Sequence, residues 1–461
     1  MSFLPTFRAQ TRATLLLAVP IMAGQVSQML MGLLDSAMVG RVGVLPLAAS
    51  AFANNVVSVP FVFGMGLLTC LAVRVSQSHG AGDARESGET LRHGLALAAI
   101  AGVLLTLVVW LLSFQLHRFG QPADVTQAAR PFLLLMGFSM LPGLLSLGLK
   151  QFCEALSNPW PPTLLLLAAV PLNVALNWVL IYGNLGFEPL GLVGAGYATL
   201  LSRLAALAAI WFYLRRSREM RPSLPSRWGA KLDGARLISL LRIGIPASLQ
   251  ILLEVGAFAA GAIIVGWLGK EALAAHQIAL SCAATTFMLP LGLAMATTIR
   301  IGQALGSGEG AQVRSIGFSS LWLSLVFSLA TALVFWVFGR PIAGSFVEDP
   351  KVALIATQLL AVAAVFQIVD GLQVVSSGAL RGLSDATVPM IVAFVAYWIV
   401  GLPLGYVAAF RLGWGAVGIW AGLALALGLV GSLLVWRFAA KSRDLASHEG
   451  DFAVREAVLY R

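Results

Sequence analysis

Charge is what this sequence lacks most. Only 11% of its 461 residues are Lys, Arg, Asp or Glu, 59% are hydrophobic, and the mean hydropathy is +0.87. Soluble chains are about a quarter charged, so this one cannot cover a water-facing globule of its size. Cysteine is scarce as well. Cys70, Cys153 and Cys282 are scattered, odd in number and without CxxC spacing, which argues against a disulfide framework or a cysteine metal site. There are five His, with no metal constellation, and the HExxH, GxSxG and P-loop patterns are missing, so an enzyme or a bound cofactor has little to stand on. What charge there is falls in short clusters between apolar runs of about 20 residues, the length that crosses ~30 Å of hydrocarbon as helix. A soluble enzyme and a disordered chain are excluded, and an outer-membrane barrel is strongly disfavoured. The fold class expected is all-α integral membrane.

Twelve apolar windows are present, at 13–38, 46–73, 91–116, 131–150, 160–182, 190–214, 238–266, 272–299, 315–338, 352–377, 388–410 and 414–436. The first 12 residues lead into the first window without a small-residue cleavage site, so that window reads as a retained span. With the N-terminus inside, 22 Lys and Arg fall on the cytoplasmic side and seven outside, while Arg203 lies within the sixth span. The most basic connection, 215–236, then falls inside, and both termini are expected to be cytoplasmic. The formal charge of +10 belongs with these loops and the bilayer surface, not with a nucleic acid.

The chain repeats itself. A shift of 226 residues aligns Pro20 with Pro246, Gly40 with Gly266 and Gly43 with Gly269, and brings RVSQSHGAG (74–82) onto RIGQALGSG (300–308). At a shift of 227, ALSNPWPP (155–162) meets GLSDATVP (382–389). Apolar spans match by chance, but polar loop residues held at one offset do not. Each half therefore holds six spans entering from the same side, a parallel repeat that binds cargo between its halves and alternates access by rocking. The expected domains are an N-lobe at 1–214, a basic linker at 215–237, a C-lobe at 238–437 and a cytoplasmic tail at 438–461. Gly401/Gly405 and Gly418/Gly422 have the spacing that lets helices approach closely.

Three acids fall inside spans: Asp35 in the first, Glu254 in the seventh and Asp370 in the tenth. Each opposes insertion by about 2.5–3.5 kcal/mol on translocon scales. They need a wet cavity, a partner or a proton. A carboxyl poised between burial and a nearby cation can exchange one for the other. At the repeat offsets Asp35 meets Gly261, Glu254 meets Gln28 and Asp370 meets Gly143, so the scaffold is symmetric while its ionisable chemistry is not. Asn173 and Asn177 share one helical face at i, i+4 spacing and are expected to serve Asp35, either completing its shell or bridging helices. Arg203 is the one base placed clearly within a span, too few to neutralise three acids. Pro20, Pro171, Pro246, Pro290 and Pro403 sit inside spans and should kink them; Pro20 and Pro246, matched by the repeat, are the hinge candidates. His276, at the outer mouth of the eighth span, reads first as a satisfied polar residue and second as a helper in proton transfer. Abundant Phe, Trp and Met suit a large pocket for flat apolar cations.

Asp35 within QMLMGLLDSAMVGRVG, Glu254 within ILLEVGAFA, AAHQIAL (274–280) and Asp370 within FQIVDGLQVVSSGALRGLSD together resemble the multidrug and toxic compound extrusion (MATE) transporters, most of all the NorM-like bacterial branch. The resemblance covers essentially all twelve spans. It implies two six-helix bundles around a V-shaped cleft, a bacterial inner-membrane location, and export of cationic drugs, dyes and antibiotics against H+ or Na+ entry. It implies that Glu254 and Asp370 form a cation site in the second lobe, holding Na+ where sodium is the coupling ion. It also implies that Asp35, Asn173, Asn177 and Thr199 form an acidic network in the first. Position 366 is Phe where sodium-coupled relatives are expected to carry Tyr, and the lost hydroxyl favours protons.

The leading expectation is a monomeric secondary antiporter for cationic amphipathic molecules, coupled to H+ or Na+, without a cofactor and without enzymatic activity. The nearest alternative is a flippase for a lipid-linked oligosaccharide, whose pyrophosphate calls for Arg or Lys in the cavity. A passive channel is the third reading.

Overall fold

The computed structural model describes residues 3–447, with side chains from 7 to 445; of the expected tail, 448–461 lies outside the described residues. Every span forms helix, and no strand occurs among the described residues. The helices are α1 (Phe3–Gly40), α2 (Val44–Gly80), α3 (Ala84–Ser113), α4 (Ala123–Phe138), α5 (Met140–Ala155), α6 (Trp160–Tyr182) and α7 (Gly191–Arg216) in the first repeat. The second contributes α8 (Gly234–Gly266), α9 (Lys270–Gly306), α10 (Gly310–Phe346), α11 (Pro350–Gly382), α12 (Thr387–Phe394), α13 (Leu402–Phe410) and α14 (Gly415–Ser447). Taking α4 with α5 and α12 with α13, twelve of these are long and apolar enough to cross a membrane.

The helices overrun the apolar windows where polar residues stay helical. The second window ends at 73 and the eighth at 299, but α2 and α9 run on to Gly80 and Gly306. Hydropathy reports the thickness of hydrocarbon, whereas a helix continues until something stops it. Here the stop is a left-handed glycine two residues on, Gly82 at φ 70° and its repeat mate Gly308 at φ 75°. The same pairing recurs at Gly43 and Gly269, and in two serines, Ser157 at φ 61° and Ser384 at φ 59°. The backbone thus carries the repeat at the offsets read from the residues.

Pro403 lies inside the eleventh span, Thr387–Phe410, and the distortion expected of it takes a particular form. The chain between α12 and α13 forms a π-helical turn, Val395–Gly401, and Pro403 begins the helix that follows. A proline lacks the N–H that an α-helical ladder would use, and the widened turn absorbs that loss.

By internal packing the chain divides into two compact units, one of residues 1–22 with 249–461 and one of residues 23–248. The expected lobe borders run between helices, while these divisions fall inside α1 and α8, two residues beyond Pro20 and Pro246. In the 23–248 unit, α2 packs on α3, α4 and α5, and α6 packs on α7. In the other, α11 is the central helix, flanked by α9, α10 and α14.

The turns after α5 and α11 are each tied to a distant helix. Asn158 Nδ2 donates to Glu219 Oε2 at 2.7 Å and to the Tyr213 hydroxyl at 3.1 Å. At the equivalent place Asp385 accepts from Arg437 Nε and Lys441 Nζ, each at 2.7 Å. Burial pushes the Asp385 carboxyl up, but the hydrogen bonds and charges of Arg437 and Lys441 outweigh it and hold it below the ordinary carboxylate value. A depressed carboxylate stabilises the fold above its unfolded pKa and loses that contribution as pH falls through the folded one. The stability advantage of wild type over Asp385→Asn should therefore be full at neutral pH, begin to fall below about pH 4 and vanish in stronger acid, below the folded value, as read by thermal unfolding in detergent.

The four glycines singled out for close packing meet in pairs. A methyl group at Gly422 would lie 2.5 Å from the Gly401 carbonyl oxygen and 2.6 Å from Gly405 Cα, while one at Gly418 would lie 2.6 Å from the Ala409 nitrogen. Gly422→Ala should cost about 1–3 kcal/mol by overpacking and lower the melting temperature. Gly344→Ala, with nothing within 4 Å, should not.

Candidate functional site

In the 23–248 unit the polar cluster is built around Asp35. The side chain leaves α1 half-buried, and Asn177 of α6 donates from Nδ2 to its Oδ1 at 2.5 Å. The same amide nitrogen reaches Asn173 Oδ1 at 3.1 Å, as their spacing of one helical turn allows. Thr199 of α7 approaches Asp35 Oδ2 at 3.4 Å, although its hydroxyl also donates to the Ala195 carbonyl at 3.0 Å. Asn173 and Asn177 are fully buried and Thr199 nearly so. The structure therefore brings together Asp35, Asn173, Asn177 and Thr199.

Arg203 is directed elsewhere. Its Nη1 donates to the Ser139 hydroxyl at 2.9 Å, at the break between α4 and α5, and its guanidinium stacks 4.8 Å over the Phe61 ring. It acts on Asp35 through its field without closing an ion pair.

The second cluster lies between α8 and α11. Asp370 is buried and Glu254 partly so, and the two carboxyls act on each other electrostatically. Arg381, the penultimate residue of α11, supplies an opposing charge to Glu254. The π-helical turn seats against α8 through Trp398, whose Nε1 donates to the Leu253 carbonyl at 3.0 Å. Its neighbour Tyr397 is completely buried, feels both carboxyl charges, and has a hydroxyl without a hydrogen-bond partner among the described residues. Phe366 stands between Phe258 and Trp420, with ring centroids 5.7 and 5.6 Å away. His276 is buried behind that stack, where its Nδ1 accepts from Trp420 Nε1 at 3.0 Å. Among the described residues it makes no bond to Glu254 or Asp370, so it sits in an aromatic shell and not with the acids.

One sequence expectation needs correction. Arg203 is not the only base within the helices: Lys150 and Arg381 are buried too, and Arg300 is half-buried. They looked like loop residues because the apolar windows stop short of the helix ends. Lys150 pairs with Glu154 at 2.9 Å, with side chains 1% and 0% exposed, so Glu154 is a fourth acid held inside the helices. Arg300 clasps the start of α1, donating to the Gln10 carbonyl at 2.8 Å and the Thr14 hydroxyl at 2.6 Å. Tyr397, Gln373 and Arg381 also escaped notice, although Gln373 and Arg381 follow Asp370 at i+3 and i+11 and share its face of the helix.

Asn177→Leu should destabilise the 23–248 unit by about 1–3 kcal/mol, the value of a charge-assisted hydrogen bond plus the acceptor it leaves unpaired. Thr199→Val should cost less, since its contact with Asp35 is longer and shared. Thermal unfolding of the two variants in detergent checks the order.

Chain-wide comparison places these clusters in a known setting. The profile of the MatE family matches residues 20–179 and 246–407, one block in each repeat. A probable multidrug resistance protein NorM from Rhizobium meliloti (strain 1021) is 36% identical over 433 residues, 93% of this chain and 92% of the relative. One of the same description from Bradyrhizobium diazoefficiens is 37% identical over 439 residues, covering 94% of each. Among solved structures, the Vibrio cholerae MATE transporter VcmN in its bent form superposes with a TM-score of 0.86 at 22% identity, over 96% of this chain and 99% of that one. A MOP superfamily transporter from Pyrococcus furiosus, described as having a binding pocket of reverse polarity and a different function, superposes equally well at 0.86 with 20% identity, over 97% and 99%.

Proposed function

The chain belongs to the MatE family, and from that premise we propose that it is a multidrug efflux antiporter exporting organic cations from the cytoplasm in exchange for H+ or Na+. The observation that carries this reading is the state of the acids within the spanning helices. Glu154 closes an ion pair, whereas Asp35, Glu254 and Asp370 close none among the described residues. Asp35 is instead surrounded by amides and a hydroxyl, groups that accommodate a carboxyl with or without its charge. Glu254 and Asp370 share one electrostatic field, and two carboxyls so placed hold one positive charge between them better than either alone. A proton, a small cation and an organic cation compete for such sites, and that competition is the basis of exchange.

The proposal extends to the cell. Two six-span lobes at 1–214 and 238–437, with Pro20 and Pro246 as hinges, would alternate access as a monomer in the bacterial inner membrane with both termini in the cytoplasm. The membrane potential would drive cargo at about 2.3 kcal/mol per charge per 100 mV. Relatives named for multidrug resistance support the cargo class, and Phe366 at the aromatic stack supports protons over sodium.

Purified protein in liposomes should extrude ethidium when a pH gradient alone is imposed, more strongly than with a sodium gradient alone. Asp35→Asn and Asp370→Asn should each reduce coupled efflux by at least about a hundredfold, the scale on which a positioned proton-transfer group acts, with normal membrane insertion. Wild-type rates in both variants would overturn the proposal.

A further inference from the structure

Below the acid pair, the interface of α8 and α11 carries polar side chains in a place where apolar ones would pack. Gln250 precedes Glu254 by one turn, and Asp370, Gln373, Ser377 and Arg381 follow at i, i+3, i+7 and i+11, all on one face of α11. Gln250 Nε2 donates to Ser377 Oγ at 2.8 Å, which fixes the two helices in register. Gln250, Gln373 and Ser377 are 3%, 0% and 1% exposed. The Gln373 amide lies within hydrogen-bonding reach of the Glu254 carboxyl, yet Gln373 Oε1, Gln250 Oε1 and Arg381 Nε find no hydrogen-bond partner among the described residues. A buried polar atom left unmet costs more than a normal hydrogen bond contributes. Native interiors resolve such clusters with ordered water, each molecule making two to four bonds.

We propose that Gln250, Gln373 and Ser377 hold a chain of water along the α8–α11 interface, a proton path between the Glu254–Asp370 pair and the C-terminal end of α11. The path rests on the antiport reading above and adds a route to it. Each step moves a proton between neighbouring oxygens, one O–H bond breaking as the next forms, so water alone suffices. Gln373 orients that water and is a positioning residue. Arg381 stands at the far end, where its positive charge acts on Glu254.

The charged and titratable groups around the column are few. Glu254 faces it from α8, Asp370 and Arg381 from α11, and Tyr397 from the π-helical turn. On α9, Arg300 is engaged with Gln10 and Thr14, and His276 with Trp420. Arg314 of α10 donates to the Ala439 carbonyl, and Arg437 and Lys441 of α14 hold Asp385.

The test uses the full-length protein with Gln373→Leu, an apolar side chain that fills the space and displaces water. Ethidium binding in detergent should stay within about twofold and the melting temperature should hold or rise. Efflux driven by a pH gradient should fall at least about tenfold, roughly 1.4 kcal/mol in a rate-limiting step, with a larger H2O/D2O rate ratio. Gln373→Ser, which leaves room for water, should retain most of the efflux. A structural role would move stability but leave the isotope ratio and the pH profile alone. Wild-type efflux, pH profile and isotope ratio in Gln373→Leu, beside an inactive Asp370→Asn, would overturn the water path alone; a fully active Asp370→Asn would overturn the antiport reading beneath it. Should Gln373→Leu fail to reach the membrane, Gln250→Leu with Ser377→Ala removes the same water. Unchanged efflux and isotope ratio there would overturn the proposal equally.

Discussion

A carboxyl group inside an apolar helix must be solvated by something, and every polar feature of this protein's interior follows from how that demand is met. Water does it in bulk. Within the spanning helices only amides, hydroxyls, cations and trapped water are on hand. Asp35 uses the first two, through Asn177 and Thr199. Glu154 uses a cation, Lys150, and the result is a closed ion pair. Glu254 and Asp370 use neither fully: Arg381 answers Glu254 without closing an ion pair, the Gln373 amide reaches the same carboxyl, and its oxygen is left to spare. The first arrangement tolerates a change of charge, the second resists it, and the third invites a mobile ion or water. An ion pair fixes charge, so the acids without one are those able to trade it.

The repeat explains why two chemistries coexist on one scaffold. Positions that set the backbone are duplicated: the left-handed glycines at 82 and 308, the left-handed serines at 157 and 384, the prolines at 20 and 246. Several positions that carry charge have diverged, although Arg74 and Arg300 still match. Glu154 aligns with Arg381, and Asn158 with Asp385, at the same offset of 227. The Asn158–Glu219 contact of one half corresponds in place to the Asp385–Arg437 pair of the other, so a tie is kept while its polarity is reversed. Selection on fold acts on φ angles and close approach, which tolerate no substitute. Selection on function acts on single side chains, which can differ between halves once each half has its own task.

Much of this was legible in the residues. Twelve helices, their order and the shared face of Asn173 and Asn177 follow from hydropathy and from i, i+4 spacing, because both are local properties of a helix; their meeting with Asp35, 142 residues away, was an expectation of the family resemblance. The glycine pairs 401/405 and 418/422 were legible for the same reason, and a Cβ at Gly422 would indeed strike Gly401 and Gly405. The boundaries were not. Hydropathy ends where hydrocarbon ends, and reading Arg381, Lys150 and Arg300 as loop residues followed from equating that point with the helix terminus. The π-helical turn was hidden because widening a turn by one residue leaves composition unchanged. The partner of His276 was not legible, since contact with Trp420 joins α9 to α14 across 144 residues that no local pattern connects.

The sign of the buried charge, more than the fold, decides which cargo such a scaffold can carry. A cavity for pyrophosphate needs uncommitted cations. Here the cations within the helices are committed: Lys150 to Glu154, Arg203 to Ser139 and the Phe61 ring, Arg300 to Gln10 and Thr14. Arg381 acts on Glu254 without closing an ion pair on it, as Arg203 does on Asp35. The acids are the reverse case, with Asp35, Glu254 and Asp370 held by groups that can let them change state. Under the proposed antiport, an interior whose positive charges are spoken for and whose negative charges are adjustable favours positive passengers. On the same proposal, release of one passenger requires a way out for the proton that replaces it, and the polar atoms left unmet between α8 and α11 lie where that exit would begin.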